Sequence, residues 1–180
     1  NSDVLTPDDL MAGLRPKSRD VVIYDDDHYY MGGVLAELLR KEDYAVTLVT
    51  PAALASNFTK TSLEQKAIQK RLLGLGVRIE ANKAVSAIAA EHVTTQCTFT
   101  MDETRLPTAS VVLVTARKPH DALFHRLSAQ GIACTRAGDC YGPATIAAAV
   151  HAGRKFAEYF GSPEPDHLDQ PFRREVTALS

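Results

Sequence analysis

The chain has few cysteines, and none of them are paired at a metal-binding spacing. Its three cysteines, Cys97, Cys134 and Cys140, are odd in number and scattered along 180 residues. A disulfide framework needs paired cysteines, and a zinc site needs closely spaced cysteine or histidine ligands. We therefore predict no metal site, and free or buried thiols of the kind found in a reducing cytoplasm.

The sequence also lacks an excess of positive charge, a long apolar run and a secretory leader. Its formal net charge is −2, with 45% hydrophobic and 23% charged residues. That balance argues against a nucleic-acid surface and suits one α/β domain, or one domain with part of another. No apolar run reaches membrane-spanning length, so no membrane segment is expected. The first residue is Asn1 rather than Met, which leads us to expect an excised piece of a longer chain.

One stretch has the order of a dinucleotide-binding unit. The apolar run Val21–Tyr24 predicts a buried parallel strand, and Val34–Arg40 predicts the helix that follows it. Gly32 and Gly33 lie in the turn between them. A strand, a turn with glycines and a helix form the frame that holds a pyrophosphate in Rossmann folds.

The turn itself argues against this ligand. Asp25 and Asp27 stand at the first two glycine positions of the G-x-G-x-x-G pattern, where carboxylates repel a diphosphate. Val49 is followed by Thr50 and Pro51, so the carboxylate that binds ribose in NAD sites is missing, and so is an arginine for a 2′-phosphate. We therefore predict that this half of the chain does not bind NAD(P)H and that the turn is degenerate.

The aspartates at 25, 26 and 27 allow two further interpretations. One is a cation site or an altered phosphate turn. The simpler one, which we favour, is a solvated turn whose carboxylates cap the following helix and lie at its positive end.

The rest of the sequence predicts further parallel strands with a helix, followed by an antiparallel segment. Strands at Ala45–Val49 and Val77–Glu80, with a helix at Leu63–Leu73 between them, imply right-handed parallel crossovers. Short alternating runs between 84 and 107 predict an antiparallel meander, and Val111–Val114 predicts a return to a buried strand. The last helix is expected at Ala144–Phe160.

Three segments occur in an order that resembles a known family. They are the aspartate turn with its helix (Asp25–Leu39), the strand end Val114–His120, and Gly138-Asp139-Cys140 before an alanine-rich helix. Together they resemble two-dinucleotide-domain flavoprotein reductases. The fuller resemblance, over about residues 4–160, is to the C-terminal region of the trimethylamine dehydrogenase family, which includes histamine and dimethylamine dehydrogenases.

The resemblance implies a fold class and a set of domain bounds. The expected class is α/β, with a Rossmann-like parallel sheet, helices on both faces, an antiparallel meander and the closing segment of a second FAD/NAD(P)-binding-like domain. The implied parts are an N-terminal segment (1–19), an NAD(P)-binding-like domain (20–116), the closing part of an FAD/ADP-binding-like domain (117–160) and a tail (161–180). The closing part lacks its upstream half, so we expect it to be the less self-sufficient part.

The family also implies a parent enzyme. It would be a flavin-dependent oxidoreductase, an amine dehydrogenase with FMN and an iron–sulfur cluster in a barrel that this chain does not include. The chain itself is expected to be inactive and to hold no cofactor, with structural ADP in the parent. The implied partners are the rest of a homodimeric, cytoplasmic parent and an electron-transfer protein.

The expected ADP site lies in the closing segment. In the resembled family the carboxylate equivalent to Asp139, next to Gly138, holds a ribose or phosphate-linking group. The helix beginning near Ala144, with Thr145 and Ile146 in its first turn, offers free N–H groups to phosphate, and Arg117 pairs with a phosphate or with Asp139. The alternatives are a plain helix cap for Asp139 and a surface salt bridge for Arg117. For the whole chain, the alternatives are a packing module without a ligand, or an NAD(P)H-binding domain like that of dienoyl-CoA reductases.

Overall fold

The computed structural model describes residues 3–108 and 110–160. The chain divides into two units, Asn1–Ala116 and Arg117–Ser180. The predicted tail at 161–180 lies outside the described residues.

The first unit contains eight strands and three α-helices among its described residues. In chain order they are β1 (Asp3–Leu5), α1 (Pro7–Met11), β2 (Asp20–Asp25), α2 (Met31–Lys41), β3 (Ala45–Thr50), α3 (Gln65–Gly74), β4 (Arg78–Ala81), β5 (Lys83–Ile88), β6 (His92–Cys97), β7 (Glu103–Pro107) and β8 (Ser110–Val114). A short 3₁₀ helix, Asn57–Lys60, lies between β3 and α3.

Five strands form a parallel sheet in the order β1-β8-β2-β3-β4. The strand β2 lies at its centre, with Val21 opposite Val46 of β3 and Val22 opposite Val111 of β8. The predicted parallel unit and the α/β fold class are confirmed. Nearly continuous apolar strands form such a sheet because both of its faces are covered.

Alternate residues of β2 point to different cores. Val21 and Ile23 belong to the core that includes Leu35 and Leu39 of α2, whereas Val22 packs with Val93 and the meander. The meander is the second sheet, of order β5-β6-β7 and antiparallel throughout. In the first unit, therefore, helices cover one face of the parallel sheet and the meander covers the other, which differs from the predicted helices on both faces.

The N-terminal segment is more ordered than its sequence suggests. Thr6 caps α1, and Asp9 completes the capping box, since its carboxylate accepts a hydrogen bond from the Thr6 N–H at 2.8 Å. The strand β1 was not predicted, and it pairs with β8 through Val4 and Val111. Three residues carry too short a pattern to be recognised, and their partner strand lies far along the chain.

The second unit has two α-helices among its described residues, α4 (Ala122–Ala129) and α5 (Ile146–Tyr159). The guanidinium of Arg136 connects its parts, because it lies 4.4 Å from the centre of the Phe124 ring and forms an ion pair with Asp121. No residue of 117–160 is buried. Ile146 and Val150 of α5 are 85% and 66% exposed; that this unit is the closing part of a larger domain stays a prediction.

Candidate functional site

The turn after β2 begins with a buried carboxylate. Asp25 is 0% exposed, and its Oδ1 accepts a hydrogen bond from the backbone N–H of His28 at 3.1 Å. Its Oδ2 has no hydrogen-bond partner among the described residues. Burial raises the pKa of Asp25 to about 6, although the hydrogen bond from His28 acts in the opposite direction. The other two aspartates of the turn are less buried than Asp25.

Asp25 packs directly against the first turn of α2. A Cβ atom at position 32 would stand 2.5 Å from Asp25 Cγ and 2.8 Å from Asp25 Cβ. Only glycine fits there without displacing the strand end. Close packing of helix on strand is the task of the third glycine in the dinucleotide fingerprint, so Gly32 occupies that structural position.

The predicted role of the aspartates as helix caps is wrong. The N-cap of α2 is Tyr30, and no side chain makes a capping hydrogen bond to this helix. Asp25 is buried at the end of β2 instead of being solvated. The helix also begins at Met31, earlier than the predicted Val34, and its first turn includes Gly32 and Gly33. The glycines are helical here since buried packing outweighs their low helix propensity.

The loop after β3 folds over this turn. The backbone N–H of Phe58 donates a hydrogen bond to the carbonyl of His28 at 3.0 Å. The Phe58 ring meets the rings of His28 and Tyr29 edge-on, with centroids 5.1 and 5.3 Å apart. The three aromatic rings therefore form a packed cluster where the carboxyl ends of β2 and β3 meet, the edge at which open α/β sheets bind ligands.

The residue at the ribose-binding position is part of this packing. Thr50 is 0% exposed, and its Oγ1 lies 3.4 Å from Nδ1 of His28. The Thr50 hydroxyl also accepts a hydrogen bond from the Ala52 N–H at 3.3 Å. A hydroxyl engaged in this way offers no charged acceptor to a pair of ribose hydroxyls.

Phe58 and Ser56 are the site residues that sequence reasoning missed. Ser56 is 1% exposed with a backbone φ of 51°, and its Oγ has no hydrogen-bond partner among the described residues. That oxygen lies 3.4 Å from where a Cβ on Gly33 would stand. Neither residue carries a motif, so only the strained serine conformation marks this loop, and that is not visible in a sequence.

The cation-site interpretation has no ligand set to support it. Across residues 3–108 and 110–160, no group of three or more His, Cys, Asp or Glu side chains is placed to hold a metal ion. All three cysteines are free of disulfides.

In the second unit, the predicted ADP residues lie around the start of α5. Gly138 begins a short 3₁₀ helix (Gly138–Cys140) with φ of +67°, and a Cβ there would lie 3.9 Å from the Cβ of Ala149. Asp139 is exposed. Thr145 is the N-cap of α5 rather than a first-turn residue, and its side chain makes no capping hydrogen bond. The amino end of α5 is therefore free of side-chain capping.

The other two residues predicted for the ADP site are both exposed. Ile146, the first residue of α5, is 85% exposed. Arg117 is also exposed, at the start of the unit. The binding roles of all the predicted site residues, Gly32 and Gly33 included, stay predictions.

Comparison with known protein families assigns most of the first unit to one family. Residues 5–106 match the model of the OYE-like second alpha/beta domain, a match that covers more than half of the chain. The chain belongs to the OYE-like second alpha/beta domain family. The matched range runs from the end of β1 into β7, so it includes β2, β3 and β4 of the parallel sheet and most of the meander, whereas β8 lies beyond it.

Individual relatives of this OYE-like domain are amine-oxidising enzymes. Histamine dehydrogenase from Rhizobium sp. 4-9 is 43% identical with a TM-score of 0.84, over 99% of this chain and 29% of that enzyme. The amine oxidase HisD, which acts on 6-hydroxypseudooxynicotine in Pseudomonas geniculata N1, is 34% identical with a TM-score of 0.81, over 88% of this chain and 24% of its own. Dimethylamine dehydrogenase from Hyphomicrobium sp. (strain x) is 26% identical over 97% of this chain.

These matches confirm the resemblance to the trimethylamine dehydrogenase family. The chain spans 27% of the length of the dimethylamine dehydrogenase, so it corresponds to one part of such an enzyme. None of the helices within 3–108 and 110–160 has the length and hydropathy needed to cross a membrane.

Proposed function

We propose that this chain is the C-terminal nucleotide-domain region of a flavin-dependent amine oxidoreductase, and that it does not bind NAD(P)H itself. The observation that carries the proposal is its 43% identity to histamine dehydrogenase over nearly all of this chain but only 29% of that enzyme. The parent's FMN and iron–sulfur cluster belong to the region outside this chain. The three scattered thiols favour a cytoplasmic parent.

The geometry of the first unit supports the absence of NAD(P)H binding. A pyrophosphate needs bare backbone N–H groups at the amino end of a helix. In this chain the buried Asp25 carboxyl lies there, and the rings of Phe58 and His28 pack edge-on at this edge of the sheet, with centroids 5.1 Å apart. Both features support the proposal that this turn does not bind NAD(P)H.

The second unit fits ADP better. The amino end of α5 lacks a side-chain cap, and the exposed Asp139 precedes it in the chain next to Gly138. Asp139 would accept hydrogen bonds from the ribose hydroxyls, and the N–H groups of Thr145 and Ile146 would face a phosphate. The upstream half of the flavin-like domain would supply the rest of the pocket, so ADP would be structural and the chain alone catalytically inactive.

A second candidate function is a packing module without a ligand. The exposed apolar side chains of α5, chiefly Ile146 and Val150, favour it, because such a face is normally covered by other protein. The cover would come from the rest of the parent chain or from its partner in a homodimer. In either case an electron-transfer protein would receive electrons from the parent.

Calorimetric titration of the full-length parent with ADP, NADH and NADPH separates these functions. We expect ADP to bind and the two reduced nucleotides not to bind. Asp139→Ala should weaken ADP binding by about 10–100-fold, since a hydrogen bond to a charged group is worth about 1.5–3 kcal/mol. Glu91→Ala, which removes an exposed carboxylate from the first unit, is the matched control and should leave ADP affinity unchanged.

Each outcome supports one function. Micromolar binding of NADH would overturn the proposal in favour of a reductase-type domain. If ADP does not bind the full-length parent, or binds equally well after Asp139→Ala, the packing module replaces the ADP site. Reduction of an artificial acceptor by histamine or dimethylamine, but not by NADH, tests the amine-oxidising activity of the parent.

A further inference from the structure

The carboxyl group of Asp25 lies at the amino end of an eleven-residue helix, α2. The Oδ2 atom of Asp25 is 2.7 Å from where a Cβ on Gly32 would stand, so it touches the first turn of that helix. This oxygen is buried and has no hydrogen-bond partner among the described residues. A negative group is electrostatically favourable at this end of a helix, even though its burial is costly.

In dinucleotide-binding units the same end of the helix holds the pyrophosphate. We propose that Asp25 is a built-in anion that fills the phosphate position of this turn and closes the first unit to nucleotides. The inference rests on the proposed function, which gives this turn no dinucleotide. Asp25 is then the residue that prevents nucleotide binding at this turn, and Gly32 provides the space for its side chain.

The shape of the turn agrees with an occupied site. Asp25 and Gly32 are seven positions apart, whereas the first and third glycines of G-x-G-x-x-G are five apart. The longer turn folds back through His28, whose φ is 64° and whose carbonyl accepts a hydrogen bond from Phe58. The turn is thus tied to the next loop and does not form an open cradle.

The contact between Asp25 and Gly32 can be tested by a double-mutant cycle on the 180-residue chain. Gly32→Ala should lower the Tm by about 5 °C or more, because overpacking at a rigid strand end is destabilising. In an Asp25→Gly background the same substitution should leave the Tm unchanged or raise it, since alanine favours a helix over glycine. An equal loss in both backgrounds would show that the two residues do not share this space.

The occupied phosphate position is tested with inorganic pyrophosphate. Asp25→Gly should lower its dissociation constant by about tenfold or more relative to the native chain. Asp25→Asn removes the charge but keeps the volume, so its gain in affinity should be clearly smaller than that of Asp25→Gly. Asp43→Gly is the matched control, because Asp43 is exposed with φ of 63° and its loss changes net charge equally.

Three results would overturn the inference. They are no gain for Asp25→Gly, a gain for Asp25→Asn as large as that for Asp25→Gly, and an equal gain for Asp43→Gly. If Asp25→Gly does not fold, Asp25→Ser takes its place with the same expectation. Binding of NADH by the native chain would contradict the proposed function as well, whereas the three results above would overturn the inference alone, so the two failures are distinguishable.

Discussion

Replacing Asp25 with asparagine should stabilise the chain in a pH-dependent way. Burial raises the pKa of this carboxyl from its ordinary value of 3.8 to about 6. The folded chain therefore keeps a proton between about pH 4 and pH 6 that the unfolded chain has released. Because the folded state binds more protons in this window, its stability falls as the pH rises through it and stays lower above pH 6.

The size of the effect follows from the shift. Each pKa unit corresponds to about 1.4 kcal/mol, so a rise of roughly two units costs the folded chain about 3 kcal/mol at pH 8. Asparagine is isosteric and uncharged, and its Oδ1 still accepts the hydrogen bond that the His28 N–H now donates to Asp25 at 3.1 Å. We therefore expect Asp25→Asn to raise the free energy of unfolding by up to about 3 kcal/mol at pH 8, and by little at pH 4.

Urea unfolding followed by far-ultraviolet circular dichroism, repeated from pH 4 to pH 8, measures this difference directly. Asp43→Asn is the control, because that exposed residue has φ of 63°, which asparagine adopts readily. Its effect should stay within about 0.5 kcal/mol at every pH. A stability gain for Asp25→Asn that is independent of pH, or a loss of stability at pH 8, would refute the reasoning.

Three further predictions concern stability, and the first and third compare the two units. Leu48→Ala should cost about 2–5 kcal/mol in urea unfolding, because Leu48 is 0% exposed, whereas Ile146→Ala, at a residue 85% exposed, should change stability by less than about 0.5 kcal/mol. Thr6→Ala removes the side-chain oxygen that accepts from the Asp9 N–H at 3.2 Å and should cost about 1 kcal/mol by the same assay. Limited proteolysis, read by mass spectrometry, should cut within 117–160 before it cuts within 20–116, since no residue of the later range is buried; early cleavage in β2 or β3 would contradict this.

The elements with a strong repeating pattern could be predicted from the sequence. The segments Val21–Tyr24 and Val111–Val114 are recognisable as buried strands because apolar, mostly β-branched residues follow one another there without interruption. Both lie inside observed strands, β2 and β8. The meander was predicted from alternation, which the pairing of Val93 with Leu106 reflects. These signals are local, so one sequence is enough to carry them.

The details of the candidate site depend on contacts that are not local. An aspartate at the end of a strand is normally solvated, yet Asp25 is buried because the first turn of α2 packs against it. Thr50 was recognised as the wrong residue for ribose, but its contact with His28 depends on how two loops meet. The contact of Phe58 with His28 depends on the same two loops, so nothing in the sequence around Phe58 predicts it.

The two tasks of a dinucleotide turn separate in this chain. Gly32 retains the packing task, because the first turn of α2 lies so close to the end of β2 that a Cβ would stand 2.5 Å from Asp25 Cγ. The ligand task needs backbone N–H groups without side chains in front of them, and Asp25 and Asp27 occupy the two positions that would provide this. A glycine in such a turn is therefore a sign of close packing between helix and strand. Whether a nucleotide can bind is decided by the residues at the strand end, where this chain places a buried carboxyl group.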